Sequence, residues 1–334
     1  MRELKVLKND AGQRLDKFIT KALDIPMSLL YKSIRLKKIK VNRKRAEIST
    51  KLAEGDTVQC FLAEELFAKL DTGRGIRADG TAENPAALLE KISFPLDIAY
   101  EDENIILVNK PQGLSVHEDE ATKTNTLITY IQAYLYNKGE YSPQEEQSFS
   151  PALCNRIDRN TQGLVIAAKN AEALRIMNEK IKLREIDKFY LAAVHGIPKP
   201  RENTIRGYLL KDEKTNTVRV YDKNPPKAAK EIITKYKTLA TLSDKSLIEV
   251  ELLTGRTHQI RAHMAHIGHA LLGDGKYGVN REDKKAGYKY QALCSYKLRF
   301  SFKGDAGVLD YLRGLEISIP KDKIYFAEEF FKKG

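Results

Sequence analysis

Arg156, Asp158 and Arg159 fall within four residues, with Thr161, Gly163 and the apolar run 164–168 close behind. An acid between two guanidinium groups is well placed to stay ionised, because flanking positive charge favours the carboxylate. An ionised, held carboxylate can act as a nucleophile or stabilise a cation that forms during a reaction. The same trio can also be a plain surface ion pair, since structural pairs of this kind are common. Cys154, four residues before Asp158, has no Cys-His signature around it and reads as a small buried residue.

The elements that must position Asp158 follow from the pattern around it. The run 164–168 is short enough for a buried strand, so Asp158 belongs to the turn that feeds it. From residue 95 onward the texture is strands with scattered helices. Segments 97–100 and 105–109 flank the polar turn Glu101-Asp102-Glu103-Asn104, which predicts a hairpin. Residues 126–138 read as a helix. Asn170 is a good N-cap for the next one, with Leu174, Met177 and Ile181 on one face. Segments 188–196 and 316–319 read as strands.

Residues 1–62 have a different character. They carry fifteen Lys/Arg against seven Asp/Glu, and 32–45 holds eight basic residues and no acid. Leu15, Phe18, Ile19 and Ala22 fall on one face of a helix, Ser28 can cap a second with Leu30 and Ile34, and 39–41 and 57–62 read as short strands. Residues 63–94 read as a linker, ending in a short helix at 86–91: three Gly and a Pro lie between 71 and 85, with little periodicity. A chain of 334 residues exceeds one average domain. The expected organisation is therefore α+β: a small basic α/β domain at 1–62, the linker, and a domain at 95–332 on a mixed, largely antiparallel sheet flanked by helices. No window approaches a membrane-spanning apolar length. Three scattered cysteines suggest reduced thiols and a cytoplasmic protein. The net charge of +12 points to a polyanionic partner.

Arg156-Ile157-Asp158 with Thr161 and Gly163 resembles the R-L-D-x-x-T-x-G signature of the RluA-type RNA pseudouridine synthases. Three further stretches resemble that family in its order. Lys110-Pro111-Gln112-Gly113-Leu114 to His117 is similar to its K-P-x-G-L-x-V-H motif. Lys188-Phe189-Tyr190 to Gly196 is similar to K-x-Y-x-A-x-V-x-G. Leu252 to His263 is similar to L-x-T-G-R-x-H-Q-I-R-x-H, with a tail through Gly268-His269, Leu272-Gly273-Asp274 and Tyr277-Gly278. The pattern from Arg14 to Val58 resembles the small αL-type RNA-binding domain found in several members. Two positions depart from the family: Asn155 stands where it usually has His, and Ala270 where it usually has Pro. Arg14-Leu15-Asp16 spells the same tripeptide without the Thr and Gly, inside a helical pattern, and is read as a decoy.

The resemblance implies isomerisation of uridine to pseudouridine in structured RNA. Asp158 is then the catalytic residue, as nucleophile or as stabiliser of the ribosyl cation, Arg261 its partner, and Tyr190 the ring that lies against the base. Arg suits its role because it stays charged and can grip a carboxylate with two hydrogen bonds. A lone strand Tyr otherwise reads as core packing. Arg156 can fill the gap left by an extruded base. Lys110, Lys32, Arg35, Lys37, Lys38, Arg43, Lys44 and Arg45 are expected to face RNA. The domain combination is that of RluC-like enzymes and implies large-subunit ribosomal RNA ahead of transfer RNA, with the chain acting as a monomer. The isomerisation involves no net redox change, so no cofactor is expected; the chain has no Walker loop and no Rossmann fingerprint.

Two other readings compete. His258, His263, His266 and His269 are four of the six histidines, within twelve residues, and such density invites a metal hydrolase. No pair of them stands at i, i+4 and no cysteine is near, so a structural or RNA-facing role is expected and no metal. A non-catalytic RNA-binding protein is the other reading, and Asp158, Tyr190 and Arg261 together argue against it.

Overall fold

The computed structural model describes residues 1–63, 85–118, 125–215 and 217–331, so most of the expected linker lies outside the described residues. The chain forms two compact units. One comprises Met1–Pro95, Ile128–Ala152 and Ala168–Arg175; the other comprises Leu96–Leu127, Leu153–Ala167 and Ile176–Gly334. The sequence reading put a boundary at 95, whereas 128–152 and 168–175 cluster with the N-terminal residues.

The first unit contains β1 (Arg2–Lys5), α1 (Leu15–Leu23), α2 (Met27–Arg35), β2 (Ile39–Val41), β3 (Lys44–Arg45) and β4 (Thr57–Cys60). The strands pair antiparallel in the order β1-β4-β2-β3. Leu15, Phe18, Ile19 and Ala22, the expected face of α1, are buried with Leu30, Ile39 and Val58 in one core. Burial of such side chains is worth about 1.5–3 kcal/mol each. The start of α2 differs from expectation. Ser28 does not cap it; Pro26 does, and its carbonyl accepts from the amides of Leu29 and Leu30. Proline's fixed φ is pre-organised for a helix start. Arg14-Leu15-Asp16 opens α1 and closes on itself. Buried Asp16 accepts from Arg14 Nε at 3.1 Å, Arg14 Nη2 at 2.9 Å and the Lys17 amide at 2.9 Å.

Also in this unit are α3 (Pro85–Lys91) and most of α4 (Leu127–Asn137). Phe94 stacks on Tyr130 with centroids 4.2 Å apart, and Tyr136 donates to Glu90 at 2.9 Å. Gln13 donates to Ser148 at 2.7 Å, and Arg175 donates to the Ala11 carbonyl at 2.9 Å.

The second unit is organised on an eleven-stranded sheet. Its strands are β5 (Ile98–Glu101), β6 (Ile105–Lys110), β7 (Ala152–Leu153), β8 (Gln162–Ala168), β9 (Ile186–His195), β10 (Glu202–Asp212), β11 (Thr217–Tyr221), β12 (Lys230–Leu242), β13 (Lys245–Leu252), β14 (Leu293–Phe300) and β15 (Glu316–Ser318). The order is β11-β10-β12-β13-β9-β14-β8-β6-β5, with β15 on β14 and β7 on β8. The pairs from β11 to β14 are antiparallel, while β14 runs parallel to β8, so the sheet is mixed and largely antiparallel as expected. Helix α5 (Ala171–Lys182) is capped by the Asn170 side chain on the Ala173 amide at 2.9 Å, and α6 (Gln259–His266) comes after β13.

One glycine explains part of the sequence signature. Gly163 faces Ser295 across the parallel β8–β14 pair with φ 133°, and a Cβ there would collide with the Ser295 backbone. Only glycine lets the strand after Asp158 lie this close to β14.

Candidate active site

Asp158 sits on the turn between β7 and β8, which the Thr161 amide closes on the Asp158 carbonyl at 3.0 Å. Asn155, at the position where the resembled family has His, works on backbone. Its Oδ1 accepts from the Ile166 amide at 2.7 Å and so fixes the entry into β8.

Lys110 was expected to face RNA, and the structure corrects this. Its side chain is fully buried at the end of β6. Its ammonium donates to the carbonyls of Pro111 at 2.8 Å, Leu114 at 2.9 Å and Arg159 at 2.9 Å. Three donors meeting three carbonyls satisfy a buried ammonium internally and leave none for a phosphate. Burial pushes its pKa down to about 7, against the pull of Asp158. Lys110 thus ties the 111–114 turn to the Asp158 turn, and the Gly113 amide adds a bond to the Arg159 carbonyl at 3.0 Å.

Arg261, on α6, reaches Asp158 Oδ2 with Nη1 at 2.9 Å. Its other edge donates to Asp274, Nε to Oδ2 at 2.7 Å and Nη2 to Oδ1 at 2.9 Å. Asp274 is fully buried, and its Oδ1 also accepts from the Lys276 amide at 2.9 Å. Burial opposes ionisation of both partners. For Asp274 the Arg261 contacts prevail and hold its carboxyl below the usual carboxylate range; for Arg261 the two carboxylates prevail and raise its pKa. Asp158 itself keeps 28% of its side chain exposed.

Tyr190, on β9, is buried, and burial, with the Asp158 charge behind it, pushes its phenol up to about 12. Asp158, Tyr190 and Arg261, far apart in sequence, line one cavity of about 330 Å³. That volume is in the range of small-ligand sites. Arg156 is exposed and also lines it, and burial holds the Lys188 ammonium on its wall below the usual lysine range. Cys154 is only half-buried and faces this cavity, not a core as expected. A wider hollow of about 700 Å³ adjoins it, sharing Arg156 and Asp158 and adding exposed Lys276, Lys284 and Lys289.

The four clustered histidines go to separate partners. His258 Nδ1 lies 2.8 Å from Tyr277 Oη, and His263 Nδ1 lies 2.9 Å from Thr234 Oγ1. His266 meets Asp222 at 2.9 Å, and His269 Nδ1 donates to the His195 carbonyl at 2.9 Å. Among the described residues, no group of three or more His, Cys, Asp or Glu is arranged to hold a metal ion.

The family described as RNA pseudouridylate synthase matches residues 104–266, which contain Asp158, Tyr190 and Arg261. The ribosomal large subunit pseudouridine synthase C of Vibrio parahaemolyticus is 33% identical over 278 residues, covering 83% of this chain and 80% of that protein. The chain belongs to the RNA pseudouridylate synthase family. An uncharacterized RNA pseudouridine synthase of Mycoplasma genitalium is 34% identical over 306 residues, covering 88% of each chain. The solved structure of human RNA pseudouridylate synthase domain containing 4 has the same fold, with a TM-score of 0.53 at 20% identity, over 67% of this chain and 87% of that one.

As a pseudouridine synthase the protein is an isomerase with an RNA substrate. Sequence reasoning gave no role to three residues of this synthase that touch the paired acid and base: Asp274, Tyr277 and, beyond its place in the cluster, His258. All three stand within or just after the R-x-H-Q-I-R motif. The signal that could have found Asp274 is the need of a buried arginine for more than one carboxylate oxygen. The seven expected RNA-facing cations at Lys32, Arg35, Lys37, Lys38, Arg43, Lys44 and Arg45 are all exposed.

Proposed function

We propose that this synthase isomerises specific uridines of large-subunit ribosomal RNA, acting as a cytoplasmic monomer, with Asp158 as the reacting carboxylate. One observation carries the chemistry: Asp158 is gripped on Oδ2 by Arg261 and opens on a cavity walled by Tyr190. The reaction breaks the bond between N1 and the ribose C1′, turns the uracil, and joins C5 to C1′. The proton leaves C5, and N1 gains one. Asp158 attacks, or stabilises the ribosyl cation, from its free oxygen. Arg261 holds the carboxylate by Oδ2 with a charge-assisted hydrogen bond. Tyr190, with its phenol up near 12, rests as a neutral ring. It suits stacking on the base.

The RNA class rests on the relatives. The matched proteins from Vibrio and from Salmonella typhi bear the name ribosomal large subunit pseudouridine synthase C. The exposed cations of 32–45 supply phosphate contacts from a separate RNA-binding domain at the N-terminus. The three free thiols fit a reducing compartment. The test is pseudouridine mapping in RNA from cells with and without this gene. Loss of defined sites in large-subunit ribosomal RNA is expected. Loss confined to transfer RNA would move the substrate there.

A further inference from the structure

His258 immediately precedes α6 in the left-handed region, with φ 54°. A residue with a side chain occupies that region at a cost, and such strain often marks a functional placement. Here it sets the imidazole between two groups. Nδ1 lies 2.8 Å from Tyr277 Oη, and Nε2 lies 3.7 Å from Asp158 Oδ2. Tyr277 Oη already accepts from the Val218 amide at 2.9 Å. Its ring also lies under the Arg261 guanidinium, 5.3 Å from the centroid.

These contacts choose the tautomer. If Nδ1 accepts the phenol proton, every donor and acceptor in the chain Val218–Tyr277–His258 is used, and Nε2–H points at the carboxylate. If Nδ1 carries the proton instead, the phenol proton has no partner among the described residues, and Asp158 faces a lone pair. Burial, followed by Arg261 and Lys276, lowers the His258 pKa against the opposite pull of Asp158 and Asp274, which keeps the ring neutral.

We propose that His258 is a positioning residue for Asp158: its Nε2–H, set by Tyr277, closes on Oδ2 beside Arg261 when the uridine enters, and Oδ1 is the reacting oxygen. The present 3.7 Å gap fits a contact that tightens in the substrate complex. Two donors converging on one oxygen fix the rotation of the carboxylate, which neither fixes alone. The inference rests on Asp158 being the reacting carboxylate.

The test uses full-length protein and an in-vitro transcript of large-subunit ribosomal RNA carrying uridine tritiated at C5, with tritium release as the readout. Wild-type release, and its loss in Asp158→Asn, checks the underlying reading in the same assay. His258→Ala should lower kcat by ~10- to 100-fold, the scale of a misplaced reacting group, while KM changes less than about threefold. His258→Gln places an amide N–H near the Nε2 position and should recover most of that loss. Tyr277→Phe should fall between them. In ¹⁵N-histidine-labelled wild-type protein, the ring nitrogens should show Nε2 protonated and Nδ1 bare at neutral pH. An Nδ1-protonated ring, or an unchanged kcat in a folded His258→Ala, would overturn the proposal. An active Asp158→Asn would overturn the reading beneath it instead.

Discussion

The chain spells Arg-x-Asp twice with a Leu or Ile between, and the two copies are put to opposite uses. In Arg14-Leu15-Asp16 the arginine turns back on its own aspartate, and the Lys17 amide takes a further bond at the start of α1. Both carboxylate oxygens are engaged and the side chain is buried. In Arg156-Ile157-Asp158 the local arginine makes no ion pair with its aspartate, though both line one cavity. A guanidinium 103 residues downstream takes one oxygen, leaving the group 28% exposed to a cavity. A carboxylate satisfied by its neighbours holds a helix. A carboxylate held from one side, by a partner that is itself anchored elsewhere, is free to react.

Exchanging charge for amide at each copy should give the largest contrast. Asp158→Asn should reduce pseudouridine formation by more than ~10³-fold with RNA binding near wild type, because only the charge and nucleophile are lost. Asp16→Asn should leave turnover per folded molecule unchanged and cost ~1.5–3 kcal/mol of stability, the scale of a hydrogen bond to a charged group. If Asp158→Asn turns over within tenfold of wild type, the two copies are alike after all. Next in size is Arg261→Lys. The charge survives, but one ammonium cannot span Asp274 and Asp158 together as the fork does. Asp158 then loses its anchored partner, and misplacement of a reacting group is worth ~10²-fold, so kcat should fall by about that much with little change in RNA affinity.

The histidines extend the same contrast. Burial, chiefly, pushes the His263 pKa down to about 4 from 6.5, with Thr234 as its bonded partner. Between those values the unfolded chain takes up a proton that the folded chain refuses. Stability should therefore decline as pH falls from about 6.5 to about 4, by at most ~3 kcal/mol from this group. His263→Gln should flatten that decline in urea melts taken across the window. If its pH profile matches wild type, His263 already carries a proton when folded.

Smaller effects test the ring and the basic segment. Tyr190→Ala should weaken binding by ~1–3 kcal/mol for the lost stacking, and Tyr190→Phe should bind like wild type. A catalytically dead Phe variant would assign chemistry to the hydroxyl; two active variants would make Tyr190 core packing. Lys37→Gln with Lys38→Gln should reduce the slope of log K against log salt by ~0.7–0.9 for each phosphate no longer neutralised. An unchanged slope would mean that this edge faces solvent. Substitution is the better probe than deletion of 1–62, because Ala11 and Gln13 are bonded to Arg175 and Ser148.

The sequence disclosed most where chemistry and local pattern coincide. The face of α1 and the capping Asn170 were readable from residue type and spacing, and the pairing of Arg261 with Asp158 from the family resemblance. The order of eleven strands was not, because pairing such as β14 with β8 joins segments whose separation in sequence carries no periodic signal. Lys110 misled for a related reason. A lysine beside Pro and Gly looks solvated until three carbonyls from two separate turns are seen to surround it. Asp274 stands in the motif tail but was not legible as a partner, because the burial that makes Arg261 need a second carboxylate is set by the fold. His258 needed a left-handed backbone that no pattern in the sequence announces.

That enclosure of Lys110 makes the lysine a reporter. An amine wrapped by carbonyls at the end of β6 cannot meet a bulky acylating reagent unless the 111–114 turn and the Asp158 turn come apart together. The exposed amines at Lys32, Lys37, Lys38 and Lys44 should label at once. Lys110 should label only at the rate at which the active-site turns open, alongside deuterium uptake at the Gly113 amide. A mass spectrum of timed labelling would thus read the lifetime of the assembled site from a residue that never touches the RNA.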